Sequence, residues 1–346
     1  MSGFTVGLAV LGGLLLALLV AWNTWTTRRN APRQAEVMPP PAPRSPQPGE
    51  DGGERDEPTF DASLVPPLPA MERKPGLDAL IDVLTPIALE AAVSGEAALA
   101  AMPPTRRAGS KPFAIEGFND ARLHWEMPQP GQRYSAFQAG VQLANRTGAL
   151  NEIEYSEFVV KVQAFADAVN GAPEFPEMLD EVARARELDQ FANAHDAQLS
   201  FTLRARASAW SPGYVHQNAS RLGFVAGAIP GRMVLPATAP GSAPVLGLSF
   251  DTQAAMADDP AQSALRSLRL SLDVPQVHRG EQPFARMRDA ANALAASMDG
   301  VITDDNGQPI RAEALDVIGA DLEQLYDTLD ARDLAAGSPQ ARRLFS

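Results

Sequence analysis

The first pattern along the chain is an uncharged apolar run that extends from Phe4 to Trp25. A helix rises about 1.5 Å per residue, so about 20 apolar residues suffice to cross the hydrocarbon core of a bilayer. Trp22 and Trp25 stand at the end of the run, where aromatic side chains favour the membrane interface. The pattern therefore predicts one membrane-spanning helix, and we assign residues 1–29 to this anchor.

Basic residues lie on only one side of this run. Arg28, Arg29 and Arg33 follow it, and no Lys or Arg precedes it. Because cytoplasmic flanks carry the excess of Lys and Arg, the N-terminus is expected outside and the bulk of the chain in the cytoplasm. A cleaved signal peptide is the alternative, but it would carry positive charge before its apolar run.

Residues 30–75 lose the apolar periodicity and become rich in Pro, Gly and charge, as in "VMPPPAPRSPQPGEDGGERDEPTF". Such a composition buries too little apolar surface to offset the entropy of ordering. We expect a flexible linker that holds a cytoplasmic module off the membrane. A coil of this length would span roughly 35–40 Å.

Regular patterns begin at Leu77 and predict a first α+β unit over residues 76–196. The pattern favours a strand, a short helix with Ser94 as N-cap, three more strands and two helices. The first long helix carries one apolar stripe, formed by Phe158, Val162, Phe165 and Val169, and is expected to stop at Gly171.

The same order of elements recurs over residues 197–346, which we assign to a second unit with a short tail. "AFADAVNG" (164–171) and "ALAASMDG" (293–300) align without a gap. Either the two halves arose by internal duplication, or two α+β halves resemble one another by chance. The predicted fold class is α+β, with two tandem split β-α-β-like units whose antiparallel sheets carry helices on one face.

The stretch "SMDGVITDDNGQPI" (297–310) contains consecutive polar residues at Asp304, Asp305, Asn306 and Gly307. A calcium loop needs acidic ligands at alternate positions, so this spacing does not fit. Asn-Gly is instead a tight-turn signal. We interpret the stretch as a short extended piece and a turn between the last two helices.

Composition and motifs narrow the function further. The formal net charge of −13 argues against nucleic-acid binding, which needs basic surface. The chain has no cysteine, and its four histidines fall in separate elements without a metal-ligand spacing. None of the common nucleotide-binding or hydrolase motifs is present. We therefore expect a non-enzymatic protein without a cofactor or metal.

The layout of anchor, Pro-rich linker and C-terminal α+β domain resembles that of ZipA, the bacterial membrane tether of the division GTPase FtsZ. The segments "QLSFTLRA", "GRMVLP", "PVLGLSF" and "FARMRDAANALAASMDGVITDDNGQPI" resemble the ZipA FtsZ-binding domain over about residues 197–334. "SKPFAIEGF" and "YSAFQAGVQLANRTGALNEIE" resemble segments of beta-proteobacterial ZipA-like proteins. The resemblance implies a single-pass inner-membrane protein at the division septum. It also implies a shallow groove on the open sheet face for the C-terminal tail of FtsZ.

Strand alternation predicts which side chains face that groove, because successive residues point to opposite sides of a sheet. Phe201, Leu203, Leu268, Leu270 and Leu272 would face the helices. The open-face candidates are polar or basic side chains: Ser200, Thr202, Arg204, Arg269 and Ser271. Met233 matches a methionine of the family's groove, and a place in the core is the equal alternative.

The family's groove is apolar, whereas this predicted face is largely polar. Either Arg204 and Arg269 hold an acidic peptide by polar contacts, or the working surface lies on the first unit, where Leu80, Leu84 and Phe118 would form a more apolar face. As a hypothesis, one unit is retained for binding and the other is structural. A membrane-tethered scaffold for another cell-envelope assembly is the alternative function, and an enzyme with an unfamiliar active site is a third.

Overall fold

A computed structural model describes residues 32–35, 76–257, 259, 262–304 and 306–346. These residues form an α+β protein with antiparallel sheets, in agreement with the predicted fold class. They divide into two compact units. The first unit contains residues 76–198, 273–281 and 318–346, and the second unit contains residues 32–35, 199–272 and 282–317.

The predicted membrane anchor (Phe4–Trp25) lies outside the described residues, as does most of the predicted linker, residues 36–75. Within the described part of the chain, no helix has the length and apolar character needed to span a bilayer. The anchor and the linker stay predictions. Residues 32–35 of the predicted linker have a defined place, however, because Arg33 forms a parallel β-bridge with Trp210.

The first unit begins with a long strand and contains helices of very different lengths. Its elements are β1 (Asp82–Ser94), α1 (Gly95–Ala101), β2 (Arg107–Ala108), β3 (Lys111–Asn119), β4 (His124–Glu126), β5 (Arg133–Gln142), β6 (Ala144–Asn145), β7 (Gly148–Ala149), α2 (Glu152–Ala168), β8 (Gly171–Pro173) and α3 (Met178–His195). Ser94 caps α1 as predicted, since its hydroxyl accepts a hydrogen bond from the amide of Ala97 at 3.2 Å.

The main sheet of the first unit has the strand order β2-β3-β5-β1-β8, and β4 pairs with β3. Helix α2 covers one face. The predicted stripe of Phe158, Val162, Phe165 and Val169 is buried there, and Phe165 meets Phe137 of β5 edge-on at 5.1 Å. Burial of such aromatic side chains supplies the core of this unit.

Two segments from the C-terminal half of the chain complete the first unit. Residues 273–281 and 318–346 join it, although the sequence-based division had placed them with the second half. Arg279 ties the two segments together, because its guanidinium pairs with Glu323, Asp327 and Asp330. A local pattern of apolar residues does not report which of two similar cores a segment will join.

The second unit contains the remaining strands and helices. They are β9 (Gln198–Ala205), α4 (Pro212–Arg221), β10 (Val225–Ala226), β11 (Arg232–Leu235), β12 (Leu246–Ser249), α5 (Thr252–Ala255), β13 (Ser267–Asp273), α6 (Pro283–Met298), β14 (Gly300–Thr303) and the beginning of α7 (Ala312–Asp330). A further helix, α8 (Pro339–Leu344), belongs to the first unit.

The second sheet has the strand order β10-β11-β12-β13-β9-β14. Its predicted core residues Phe201, Leu203, Leu268, Leu270 and Leu272 are all buried. The run β12-β13-β9-β14 repeats the order of β3-β5-β1-β8, with a long helix before the last strand of each run. The two sheets thus share this strand order, and the internal duplication stays a prediction.

The ends of the two equivalent helices differ from the prediction by one residue. Asn170 and Asp299, rather than the glycines that follow, adopt the left-handed conformation, with φ of 50° and 56°. Asn and Asp tolerate this region because their short polar side chains bond locally. Gly171 serves close packing instead, since a Cβ there would lie 2.6 Å from Cγ2 of Ile87.

The stretch that joins α6 to α7 has the predicted form. Residues 300–303 are strand β14, and the carboxylate of Asp304 accepts hydrogen bonds from the amides of Asn306 and Gln308. Gly307 follows with a φ of +80°. Among the described residues, no cluster of His, Asp or Glu is arranged to hold a metal ion.

Candidate functional site

The face of the second sheet opposite its buried leucines carries polar and basic side chains. Residues that pair directly across two strands share a face. Ser249 pairs with Arg232 and Arg269, and Arg204 pairs with Val301. Arg232, Ser249 and Arg269 therefore form a row across three strands, and Arg204 lies on the same alternation of β9.

This face contains a groove of about 490 Å³, which we call the basic groove. Its lining residues are Thr202, Arg204, Ser249, Phe250, Asp251, Ala264, Leu265, Arg266, Ser267, Leu268 and Arg269. Three arginines thus line one shallow space in a chain whose net charge is −13. Planar guanidinium groups bind carboxylates through two parallel hydrogen bonds, so the groove is suited to an acidic ligand.

Arg204 lies beside the turn after β14. A Cβ at Gly307 would come within 3.2 Å of the guanidinium carbon of Arg204. The side chain of Arg204 makes no ion pair with any residue that the structure describes, so its charge is available to a ligand. The carboxylate of Asp251, on the rim of the same groove, accepts a hydrogen bond from the amide of Gln253 at 2.9 Å.

Most of the predicted open-face residues lie where strand alternation placed them. Thr202, Arg204 and Arg269 line the basic groove. Ser271 shares their face through its pairing with Gly247, and its hydroxyl lies 3.3 Å from the carbonyl oxygen of Gly247. Ser200 is half-buried on the same alternation of β9.

Met233 does not lie on the open face. It pairs with Leu248, which pairs in turn with Leu270, and all three side chains belong to the buried core. Met233 is only 1% exposed, so its alternative place in the core is the one observed. Alternation along the short strand "RMVL" predicts this placement, because Arg232 and Val234 take the other face.

The first sheet also has a face opposite its core, and two of the three predicted residues lie on it. Leu84 pairs with Gly140, and Phe118 pairs with Ala136. Phe118 also meets Trp125 of β4 edge-on at 5.3 Å. Leu80 precedes β1 in a turn and is 37% exposed.

A separate cavity of about 310 Å³, which we call the apolar cavity, opens in the first unit. Its lining residues are Leu77, Met102, Pro103, Thr105, Arg106, Pro112, Phe113, Ala114, Glu116, Met127, Gln142, Arg343 and Ser346. None of the residues predicted for this face belongs to this set. The cavity joins positions more than 260 residues apart, so no local pattern in the sequence could have indicated it.

The chain itself covers part of the first sheet's outer face. Arg343 of α8 binds both carboxylate oxygens of Asp82, at 2.5 and 2.9 Å, and Asp82 is fully buried. Burial raises the pKa of the Asp82 carboxyl above its usual value, while Arg343 acts in the opposite direction. Gln142, which pairs with Asp82 across the strands, donates a hydrogen bond to the carbonyl oxygen of Arg343 at 2.8 Å.

The described surfaces therefore differ between the two units. The first unit closes one end of its outer face with its own α8, whereas the second unit presents a groove lined by three arginines. The groove is the stronger candidate for a partner site because its charge is complementary to an acidic peptide.

Residues 254–320 match the family model described as ZipA, C-terminal FtsZ-binding domain. The matched segment includes β13, α6, β14 and the first part of α7, and it contains Arg266 and Arg269 of the basic groove. This supports a ZipA-like protein whose matched domain is a binding domain. No match to the chain was found among the curated proteins.

Proposed function

We propose that this protein tethers FtsZ filaments to the cytoplasmic face of the bacterial inner membrane, at the division septum. The second unit binds the C-terminal tail of FtsZ, and the helix predicted over Phe4–Trp25 anchors the chain. The observation that carries the proposal is the basic groove, whose Arg266 and Arg269 lie inside the segment that matches the FtsZ-binding family.

The side chains that line the basic groove determine which contacts a bound peptide would make. An extended peptide laid along the face would meet Arg204 on β9 and Arg269 on β13. Carboxylates of the peptide would pair with these guanidinium groups, and Thr202 and Ser249 would offer hydroxyl groups. Binding is then polar and sensitive to salt, in contrast to binding in an apolar groove.

The direct test uses the full chain in detergent micelles and a fluorescein-labelled peptide with the sequence of the FtsZ C-terminal tail. We expect saturable binding by fluorescence anisotropy with a Kd in the micromolar range, equivalent to about −8 kcal/mol. Arg269→Glu should weaken this binding strongly. Met127→Asp, which places a charge in the apolar cavity of the first unit, should leave it unchanged.

Each result has a clear meaning. If Met127→Asp abolishes binding and Arg269→Glu does not, the tail binds on the first unit and the basic groove is not its site. If the folded wild-type protein fails to bind the peptide at all, the tether proposal is rejected. The alternative, a scaffold for another cell-envelope assembly, would then be examined by identifying proteins captured from bacterial membranes on the wild type but not on Arg269→Glu.

A further inference from the structure

Residues 32–35, which follow the predicted anchor, bind to residues 209–211 of the second unit, and we call residues 209–211 the seat. Arg33 donates its backbone amide hydrogen to the carbonyl oxygen of Ala209 at 2.7 Å, and its carbonyl oxygen accepts from the amide of Ser211 at 2.9 Å. Residues 32–35 thus add to this short stretch as a strand adds to the edge of a sheet.

The seat contains backbone amide and carbonyl groups that need a hydrogen-bonding partner. Trp210 uses its own amide and carbonyl groups to pair with Leu265 on one side, at 2.8 Å for both bonds. The carbonyl of Ala209 and the amide of Ser211 point to the other side, and both residues are at most 2% exposed. Buried backbone groups are nearly always hydrogen-bonded, and Arg33 provides their backbone partner.

The side chain of Arg33 gives the seat its specificity. Its guanidinium donates to the carbonyl oxygen of Met298 at 3.3 Å and pairs with the carboxylate of Asp299 at 3.1 Å. Met298 is the last residue of α6, so the cation also lies at the negative end of a helix. The seat therefore selects an extended segment with a basic residue at its centre.

We propose that residues 209–211 form a strand-addition seat for the juxtamembrane segment 32–35, which holds the second unit against the membrane surface. The position at the membrane rests on the proposed function, because it requires the predicted anchor. Eight peptide steps separate Trp25 from Arg33, and they reach at most about 29 Å. With the seat occupied, residues 36–75 no longer set the distance between the membrane and the basic groove.

The seat can be tested by disulfide trapping in the full chain, because the natural sequence has no cysteine. A Cβ at Gly213 would lie 3.8 Å from the Cβ of Ala35, and disulfides need a Cβ separation of about 3.5–4.5 Å. We expect Ala35→Cys/Gly213→Cys to cross-link rapidly under mild oxidation. The control pair Ala35→Cys/Ser220→Cys, about 10 Å further along α4, should cross-link slowly.

Charge variants separate specific docking from chance proximity. Arg33→Glu places like charges together at Asp299, so it should slow the 35/213 cross-link by at least about tenfold. Asp299→Lys combined with Arg33→Glu restores opposite charges and should recover most of the rate. Equal rates for the two cysteine pairs, or no effect of Arg33→Glu, would overturn the proposal.

A second measurement tests the position at the membrane independently of FtsZ. The single-cysteine variant Ser220→Cys would be labelled with a fluorophore and reconstituted in phosphatidylethanolamine–phosphatidylglycerol vesicles. We expect spin-labelled headgroups in these vesicles to quench its fluorescence. Arg33→Glu should reduce this quenching. If trapping succeeds but quenching is weak in both proteins, the seat stands and its role at the membrane is wrong, whether or not FtsZ binds.

Discussion

Arg343 and Asp82 form a two-pronged ion pair between α8 and β1, across a separation of 261 residues in the chain. The Asp82 carboxylate is fully buried, while the Arg343 side chain is 19% exposed. The amide of Asp78 donates a third hydrogen bond to the carboxylate at 2.8 Å. This pair fastens the last helix to the outer face of the first sheet.

Removal of either partner of this pair should have unequal effects. Arg343→Met leaves a buried carboxylate without its cation, and we expect a loss of about 3–5 kcal/mol in the stability of the first unit. Asp82→Asn should cost less, because the amide keeps part of the hydrogen bonding and Arg343 can reach water. Hydrogen exchange of the β1 and β5 amides in the full chain measures the loss of stability in each variant. An equal loss for the two variants would contradict this account.

The raised pKa of Asp82 makes a prediction for pH. Above its unfolded pKa, near 3.8, the unfolded chain gives up this proton before the folded chain does. The folded state therefore binds more protons between the two pKa values, and the contribution of Asp82 to stability falls as the pH rises through that window. Above the pKa of Asp82 in the folded state, this contribution to stability no longer changes with pH.

The variant Asp82→Asn isolates this contribution. We expect the difference in free energy of unfolding, wild type minus Asp82→Asn, to decrease as the pH increases from 3.8 and then to level off. Urea titrations of the two proteins at a series of pH values measure the difference. A difference that rises with pH would show that the ion pair outweighs burial and lowers the pKa.

The basic groove predicts a salt-dependent affinity that is specific to its arginines. Arg204→Glu should weaken binding of the FtsZ tail peptide by at least about tenfold in low salt, and the difference from wild type should shrink in high salt. Arg288→Glu is the matched control, since it makes the same charge change on α6 beside Asp316. If the two variants weaken binding equally, only the net charge matters and the groove is not the site.

The left-handed residue after α2 predicts a local stability change. Asn170 has a φ of 50°, which costs an alanine roughly 1–2 kcal/mol but costs glycine nothing. Asn170→Ala should therefore destabilise the first unit by about 1 kcal/mol, whereas Asn170→Gly should be neutral or slightly stabilising. Thermal unfolding of both variants provides the comparison. A destabilised Asn170→Gly would show that the asparagine side chain itself is required.

Features encoded by neighbouring residues could be predicted from the sequence. The N-cap at Ser94, the buried stripe of α2 and the turn at Asp304–Gly307 each depend on residues a few positions apart. The open-face positions of Thr202, Arg204 and Arg269 followed from strand alternation alone. Their arrangement in one groove depended further on the order of strands, which the resemblance to a family supplied.

Features that join distant parts of the chain were missed for a physical reason. The seat of Arg33 on Trp210, the pairing of Arg343 with Asp82 and the apolar cavity all bring together residues far apart in sequence. Hydrophobic periodicity reports that a segment has a buried side but not which partner buries it. Met233 is a different case, because the likeness to the family offered the groove or the core, and the alternation and pairing of β11 place it in the core.

The late segments of the first unit have a consequence for synthesis on the ribosome. Asp82 emerges long before Arg343, and at about 5–20 residues per second the interval is roughly 13–50 s. Until Arg343 is made, the first sheet lacks α8. The 199–272 and 282–317 segments of the second unit are complete earlier, by 26 residues or roughly 1–5 s. We infer that the second unit reaches its final structure first. Until α8 has been made, one face of the first unit is uncovered and accessible to chaperones.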